Sequence, residues 1–142
     1  MRELQHFQVA VKAFLLWDDR LLLVREAAGE QLWELPGGRI EVGEEALPLE
    51  AILHRELTEE LGPEFDYEVG PLVAAWIRPP DPPRRVSPVF LLGYRCRPLG
   101  GEIRLSDEHI DLRWVTQAES ARLATAPGYG PPLERFWRNR SG

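Results

Sequence analysis

The segment from Pro48 to Gly62 constrains the fold of this 142-residue chain more than any other. Its apolar residues recur with helical spacing, Pro48 suits a first turn and Gly62-Pro63 supplies a stop, so the spacing predicts a helix over 48–61. At about 100° per residue, Leu53, Leu57 and Leu61 fall within ~120° of Leu49 and define a buried face. Glu56 and Glu60 fall within ~20° of Leu49, inside that sector, and Glu59 lies at its edge. Carboxylates placed where leucines belong are either solvated along a groove and paired with arginines, or gathered for chemistry. Acids at i, i+3 and i+4 repel one another unless a cation compensates them. Oxygen-only ligands suit Mg²⁺ or Mn²⁺, and no Cys/His set offers a zinc site.

The sequence on either side of this helix predicts strands. Phe7 to Trp17 and Arg20 to Val24 flank an Asp18-Asp19 turn, as in a hairpin, and a short extended piece covers Leu32 to Leu35. Pro36-Gly37-Gly38 is expected to be a turn. Val69 to Arg78 and Val86 to Arg97 are further strands, separated by a stiff loop whose prolines, Pro79 to Pro83, cannot join a central ladder. Asp111 to Val115 reads as another strand. Thr116 and Glu119 fit a capping box opening a second helix, and a last helix begins near Pro131-Pro132. Strands around a long helix, with helices late in the chain, predict an α/β or α+β sandwich on a mixed sheet.

Length predicts a single domain spanning 1–142, able to bury roughly two thirds of the surface its unfolded chain exposes. With 44% apolar and 28% charged residues the chain is near the globular average. The lone Cys96 argues against a disulfide scaffold. No apolar run approaches the ~20 residues that span a bilayer, and Met1 to Val11 carries charges rather than a signal-peptide core, so a cytoplasmic location is expected. A net charge of -6 disfavours a nucleic acid polymer as partner while leaving room for a small phosphorylated substrate held by local arginines. A homodimer is compatible with this sequence. Lys12 is the only lysine beside sixteen arginines, an imbalance to which the sequence assigns no function.

Gly38, five residues, Glu44, and then Arg55-Glu56-Leu57-Thr58-Glu59-Glu60-Leu61-Gly62 resembles the Nudix box, and Leu35-Pro36-Gly37-Gly38-Arg39-Ile40-Glu41 is also typical of that family. The resemblance implies an α/β/α sandwich with a mixed sheet and a loop-helix-loop carboxylate site. Carried over residue by residue, it implies that Glu56, Glu59 and Glu60 bind divalent metal, with the Gly37 carbonyl as a further ligand and Arg55 orienting one glutamate. The implied activity is Mg²⁺- or Mn²⁺-dependent hydrolysis of a nucleoside diphosphate derivative by in-line attack of water. Two departures stand out: ten residues separate Glu44 from Arg55 where the family has seven, and Pro63 replaces an aliphatic residue. The extra residues are expected to lengthen the loop before Pro48, since proline disfavours helix in the residue ahead of it, and to carry Glu44 away from Arg55.

The attacking water needs a proton acceptor, and Glu59 and Glu108 are both candidates, Glu108 from the polar run Ser106-Asp107-Glu108-His109. His109 reads as a surface residue. For the substrate, Trp33 and Trp76 offer stacking faces, with the core as the competing reading. Arg39, beside the Gly-Gly turn, and Arg78, Arg84 and Arg85, around the proline loop, offer phosphate contacts; for the last three a solvated loop competes. A non-catalytic nucleotide-sensing module on the same fold is the alternative function, disfavoured because pure binding needs no triple glutamate cluster. Isomerisation of an isoprenoid diphosphate would need a catalytic cysteine, and Cys96 falls in a predicted strand.

Overall fold

The computed structural model describes residues 1–140, so the last two positions of the expected 1–142 domain lie outside the described residues. The hairpin forms as expected from β1 (Gln8–Trp17) and β2 (Arg20–Glu26). Asp18 and Asp19 take positive φ, 53° and 62°, which gives the two-residue turn the hand that matches strand twist. β3 (Trp33–Glu34) pairs with β2, and β7 (His109–Val115) adds to β2 as well. β6 (Val89–Gly100) runs parallel to β1, from Gln8 opposite Val89 to Leu15 opposite Cys96, and β5 (Asp66–Arg78) lies antiparallel to β6. The path β3-β2-β1-β6-β5 is therefore a mixed sheet.

The ladder corrects one expectation. Pro36-Gly37-Gly38 does not simply turn: Gly37–Arg39 is β4, antiparallel to β1 with Lys12 opposite Gly37 and Val11 opposite Gly38. These glycines permit close approach. A Cβ on Gly37, whose φ is 135°, would lie 2.1 Å from the Val11 carbonyl oxygen, and one on Gly38 would lie 2.0 Å from Glu56 Oε2. The Gly-Gly step thus seats β4 against the sheet on one side and beneath a carboxylate on the other.

Helices cover both faces of the sheet, because β1 alternates. Val11, Ala13 and Leu15 pack with Ile52, Leu53, Leu57 and Leu61 of α1 (Leu49–Leu61). Ala10 and Phe14 pack with Trp76, Tyr129 and the Phe136 and Trp137 side chains of α3 (Gly130–Asn139). Each fully buried leucine contributes about 1.5–3 kcal/mol, so this period-2 split anchors α1 firmly over the sheet. The short α2 (Gln117–Arg122) opens on the expected capping box, with Thr116 and Glu119 each bonded to the other's backbone N–H. Among the described residues no helix is long and apolar enough to cross a membrane.

Candidate active site

α1 is held at one end by Gly62, whose φ of 90° ends the helix as its N–H donates to the Thr58 carbonyl. Its leucines fix the rotation, and that rotation turns Glu56 and Glu60 inward, 7% and 3% exposed, while Glu59 stays out in solvent. The apolar-sector placement of Glu56 and Glu60 is therefore real. What they meet there differs. Glu56 and Glu59 converge with Glu41, from the loop after β4, so that one carboxylate oxygen of each lies within 4.8 Å of the others. Glu60 points to β4 instead, and its Oε1 accepts the Gly37 N–H at 2.9 Å.

Arg55 is the hub of the acidic cluster. Its Nη1 lies 3.1 Å from Glu41, 2.8 Å from Glu56 and 3.3 Å from Glu59, while its Nε and Nη2 donate to Glu44 at 2.5 and 2.7 Å. The expected separation of Glu44 from Arg55 is thus overturned. The three extra residues are spent in turns, with Gly43 at φ 97°, the Glu44 N–H bonded to Glu41 and the Leu47 N–H bonded to Glu44, and the helix begins only after Pro48. Glu44 in turn accepts the Glu41 N–H at 2.7 Å, which fixes the loop carrying the third carboxylate.

The protonation of the inward acids follows from their surroundings. Burial pushes Glu56 up; Arg55 opposes it and Glu59 adds to it. Burial pushes Glu60 up to about 7, against the opposing charges of Lys12 and His109, with Glu34 adding to the rise. The like charge that adds to the rise of Glu60 is Glu34, on β3. Contacts to Arg55 hold the Glu44 carboxyl below the usual carboxylate range.

Behind the carboxylates lies a polar core that the sequence did not disclose. Lys12, 5% exposed, donates to Glu34 at 3.2 Å, to the Leu35 carbonyl at 3.2 Å and to the Gly37 carbonyl at 3.3 Å. His109, read from sequence as a surface residue, is 6% exposed with Nε2 at 3.0 Å from Glu34. Glu34 is drawn down to about 2 despite its burial, because Lys12 and His109 flank it. Lys12 answers with a rise: burial presses it down, and Glu34, Tyr129 and Glu60 together more than reverse that. The Lys12 bond to Gly37 means that the expected ligand carbonyl is already engaged from the sheet side.

Glu41, Glu56, Glu59 and Glu60, with Lys12, Glu34 and His109 behind them, line one cleft of about 1130 Å³, together with Arg39, Arg78, Arg84, Arg85 and Glu108. Trp33 and Trp76 do not line it. Trp33 is 4% exposed in the core with the Arg25 and Arg113 guanidiniums over its ring, and Trp76 is 8% exposed against Phe14 and Tyr129. The core reading holds for both, and the stacking role is corrected. Arg78 is not a solvated loop residue, since it is 4% exposed and bonded to Glu26. Cys96 is buried in β6 with its thiol pushed up to about 12, outside the cleft. Glu41 is the residue that sequence reasoning missed; its signal was the spacing from Gly38, within a motif read only as typical.

The donor set fits a divalent cation on its own chemistry. Glu41, Glu56 and Glu59 bring three negative charges to within 4.8 Å of one another, shared with one guanidinium that Glu44 also claims, and all their donor atoms are oxygen. A Cβ at position 38 would fill the space the Glu56 carboxylate occupies.

The NUDIX domain family pattern matches residues 6–136. Over 95 residues, 66% of this chain, the sequence is 44% identical to a Mycobacterium tuberculosis (strain CDC 1551 / Oshkosh) protein named "Putative 8-oxo-dGTP diphosphatase 2", and the match spans 59% of that relative's length. A "MutT-like protein" of Streptomyces ambofaciens is 32% identical over 117 residues, 82% of this chain and 69% of the relative. Among solved structures, the E. coli ORF135 protein is 30% identical with a TM-score of 0.71, covering 96% of this chain and 93% of that one. The MutT protein from Methanosarcina mazei Go1, 22% identical, agrees in fold with a TM-score of 0.77 over 97% of this chain and 98% of that one.

Proposed function

This chain belongs to the NUDIX domain family, and from that premise we propose that it hydrolyses the phosphoanhydride linkage of a small nucleoside diphosphate derivative with a divalent cation as cofactor. The observation that carries the reading is the convergence of Glu41, Glu56 and Glu59 in a cleft whose lining also includes arginines. Mg²⁺ or Mn²⁺ would be held by these three glutamates with Glu60, which lines the same cleft, as a further ligand and the Gly37 carbonyl beside it. Bound there, the cation would neutralise diphosphate oxygens and make water more acidic.

The chain's own residues supply the rest. Arg55 orients the ligand carboxylates and is itself fixed by Glu44. Arg39 and Arg78 meet anionic oxygens of the substrate in the cleft. Glu108, on the loop before β7, accepts the proton of the attacking water. It lines the cleft and is not among the ion-paired acids, whereas Glu59 is engaged by Arg55 and clustered with Glu41 and Glu56. Cleavage would release two halves, each bearing phosphate.

The test is a screen of purified protein with Mg²⁺ or Mn²⁺ against nucleoside triphosphates including 8-oxo-dGTP, nucleotide sugars, ADP-ribose, dinucleoside polyphosphates and capped RNA. Turnover of a small nucleotide that vanishes in EDTA is the expected result. Full turnover in EDTA would reject the metal-dependent mechanism.

A further inference from the structure

The segment that carries Glu108 is tied to the fold from three directions. The Ser106 N–H donates to the Glu60 carbonyl at 3.3 Å and the Arg104 N–H to the Leu61 carbonyl at 2.8 Å, which joins it to the last turn of α1. The Ala27 N–H, just past β2, donates to the Glu108 carbonyl at 2.9 Å, and the Glu108 N–H reaches Ser106 Oγ at 3.4 Å. The third tie follows from a slip in the β2–β7 ladder. Asp111 pairs with Arg25 and His109 with Glu26, so Ile110 is the unpaired residue of a bulge and stays exposed. A bulge re-aims the side chains beside it. Here the His109 ring goes into the interior while Glu108 remains exposed on the wall of the cleft.

The ring makes one bond. His109 Nε2 lies 3.0 Å from Glu34 Oε2, and Nδ1 is buried without a hydrogen-bond partner. Glu34 is ionised, so it only accepts, and Nε2 carries the proton between them. That acceptor is itself fixed, since its Oε1 takes Lys12 and its backbone pairs β3 with β2. A buried hydrogen bond to a carboxylate is roughly twice as strong as a neutral one. Among the described residues the side chains of Asp107 and Glu108 make no hydrogen bond, which leaves the His109 ring as the side-chain anchor of this segment. The ring is too deeply buried to meet a water in the cleft, so any effect it has on the reaction passes through its neighbour.

We propose that His109 is a positioning residue for the hydrolysis: its Nε2–H bond to Glu34 holds Glu108 on the cleft wall, where the attacking water gives up its proton. The loss of that bond is felt in kcat, because His109 bonds to none of the clustered carboxylates Glu41, Glu56 and Glu59. The role of Glu108 rests on the hydrolase reading above; the hold of His109 on the segment does not.

The experiment compares His109→Leu, His109→Gln, His109→Asn and the double variant Glu108→Gln/His109→Leu in the full chain. Glutamine places an amide N–H near the position of Nε2, and asparagine only near that of Nδ1. With saturating Mg²⁺ and the nucleotide that the screen shows to be turned over, His109→Leu and His109→Asn are expected to lower kcat about 10- to 100-fold with KM within about threefold of wild type. His109→Gln should recover to within about fivefold of wild type. On top of Glu108→Gln, His109→Leu should cost almost nothing more, since residues acting as a unit are not additive. Full additivity in the double variant overturns the proposal, and so does a His109→Gln enzyme as impaired as His109→Leu, which would give the ring a proton-transfer role of its own. Should His109→Leu not fold, equal activity in the Gln and Asn variants overturns it.

Hydrogen exchange read by mass spectrometry measures the hold without turnover. Peptides covering Ala27 and 104–109 are expected to exchange about tenfold faster or more in His109→Leu and His109→Asn, and at the wild-type rate in His109→Gln. Wild-type protection in both His109→Leu and His109→Asn overturns the hold. The expected exchange pattern in a protein that hydrolyses nothing defeats the hydrolase reading alone, while hydrolysis with an unchanged kcat in His109→Leu defeats the positioning role alone.

Discussion

Glu44 clasps Arg55 through both carboxylate oxygens, 2.5 Å from Nε and 2.7 Å from Nη2, across a connection three residues longer than the family pattern. The clasp leaves Arg55 Nη1 as the edge presented to Glu41, Glu56 and Glu59. Position 44 therefore acts on the site through Arg55, and loop length before Pro48 is free to vary because the added residues turn back on themselves.

Glu44→Gln removes one charged oxygen from the clasp and is expected to lower kcat/KM by about 10- to 100-fold, the usual cost of losing a residue that orients a metal ligand. The loss should lie within about tenfold of that in Glu60→Gln. Steady-state kinetics on the two variants decides it: a Glu44→Gln enzyme with wild-type activity would show that the clasp is dispensable.

Burial raises Glu60 to about 7 in the folded, metal-free protein, whereas the unfolded chain titrates it near 4.5. Folding is then penalised as pH climbs above about 4.5, and the penalty is complete above about 7. In EDTA, Glu60→Gln should melt with wild type at pH 4 and above it at pH 8, by roughly 2 °C or more. Saturating Mg²⁺ should reverse the order at pH 8, since a ligand at one hundred times its Kd adds about 2.7 kcal/mol to the native state and the variant binds it poorly. Thermal unfolding in EDTA and in Mg²⁺ checks both halves. Equal Mg²⁺ shifts in the two proteins would reject Glu60 as a ligand.

Glu108 and Glu59 separate by kinetic signature. Glu108→Gln is expected to lower kcat by about 10² to 10⁴ with metal affinity near wild type, and Glu59→Gln to weaken metal binding first. Metal titrations of activity, read beside kcat at saturating metal, distinguish them. The reverse pattern would place the proton acceptor on α1.

The sequence disclosed what local periodicity encodes. The leucine stripe of α1 and its inward glutamates, the Asp18-Asp19 hairpin and the Thr116 capping box each depend on neighbours within a few residues. It did not disclose what the sheet assembles from distant strands. Lys12, Glu34 and His109 come from β1, β3 and β7, and nothing near any one of them in the chain announces the others. Gly37 and Gly38 misled because glycine serves close packing as readily as turning, and only the register against β1 tells which. Trp33 and Trp76 were ambiguous for a similar reason: a large aromatic near a site motif fits a core or a ligand face equally until its neighbours are known.

That hidden assembly makes the single lysine a test of the whole site. Lys12 is buried and bonded to Glu34 and to the carbonyls of Leu35 and of Gly37, the first residue of β4, so its amine should resist acylating reagents in the native protein. Mass spectrometry should find label at the N-terminal amine first, and at Lys12 only along the urea unfolding transition. Lys12→Met leaves Glu34 buried with only His109 and the more distant Arg78 as cationic partners and should cost about 3 kcal/mol or more at pH 7. Glu34 is held down to about 2, so its contribution is present above about 4.5, its unfolded value, and is lost as pH falls toward 2. The stability gap between wild type and Lys12→Met, measured by urea denaturation, should therefore be wide at pH 7 and narrower at pH 3. A gap of the same size at both pH values would mean that Lys12 supports β4 through its carbonyl contacts alone, with Glu34 adding nothing.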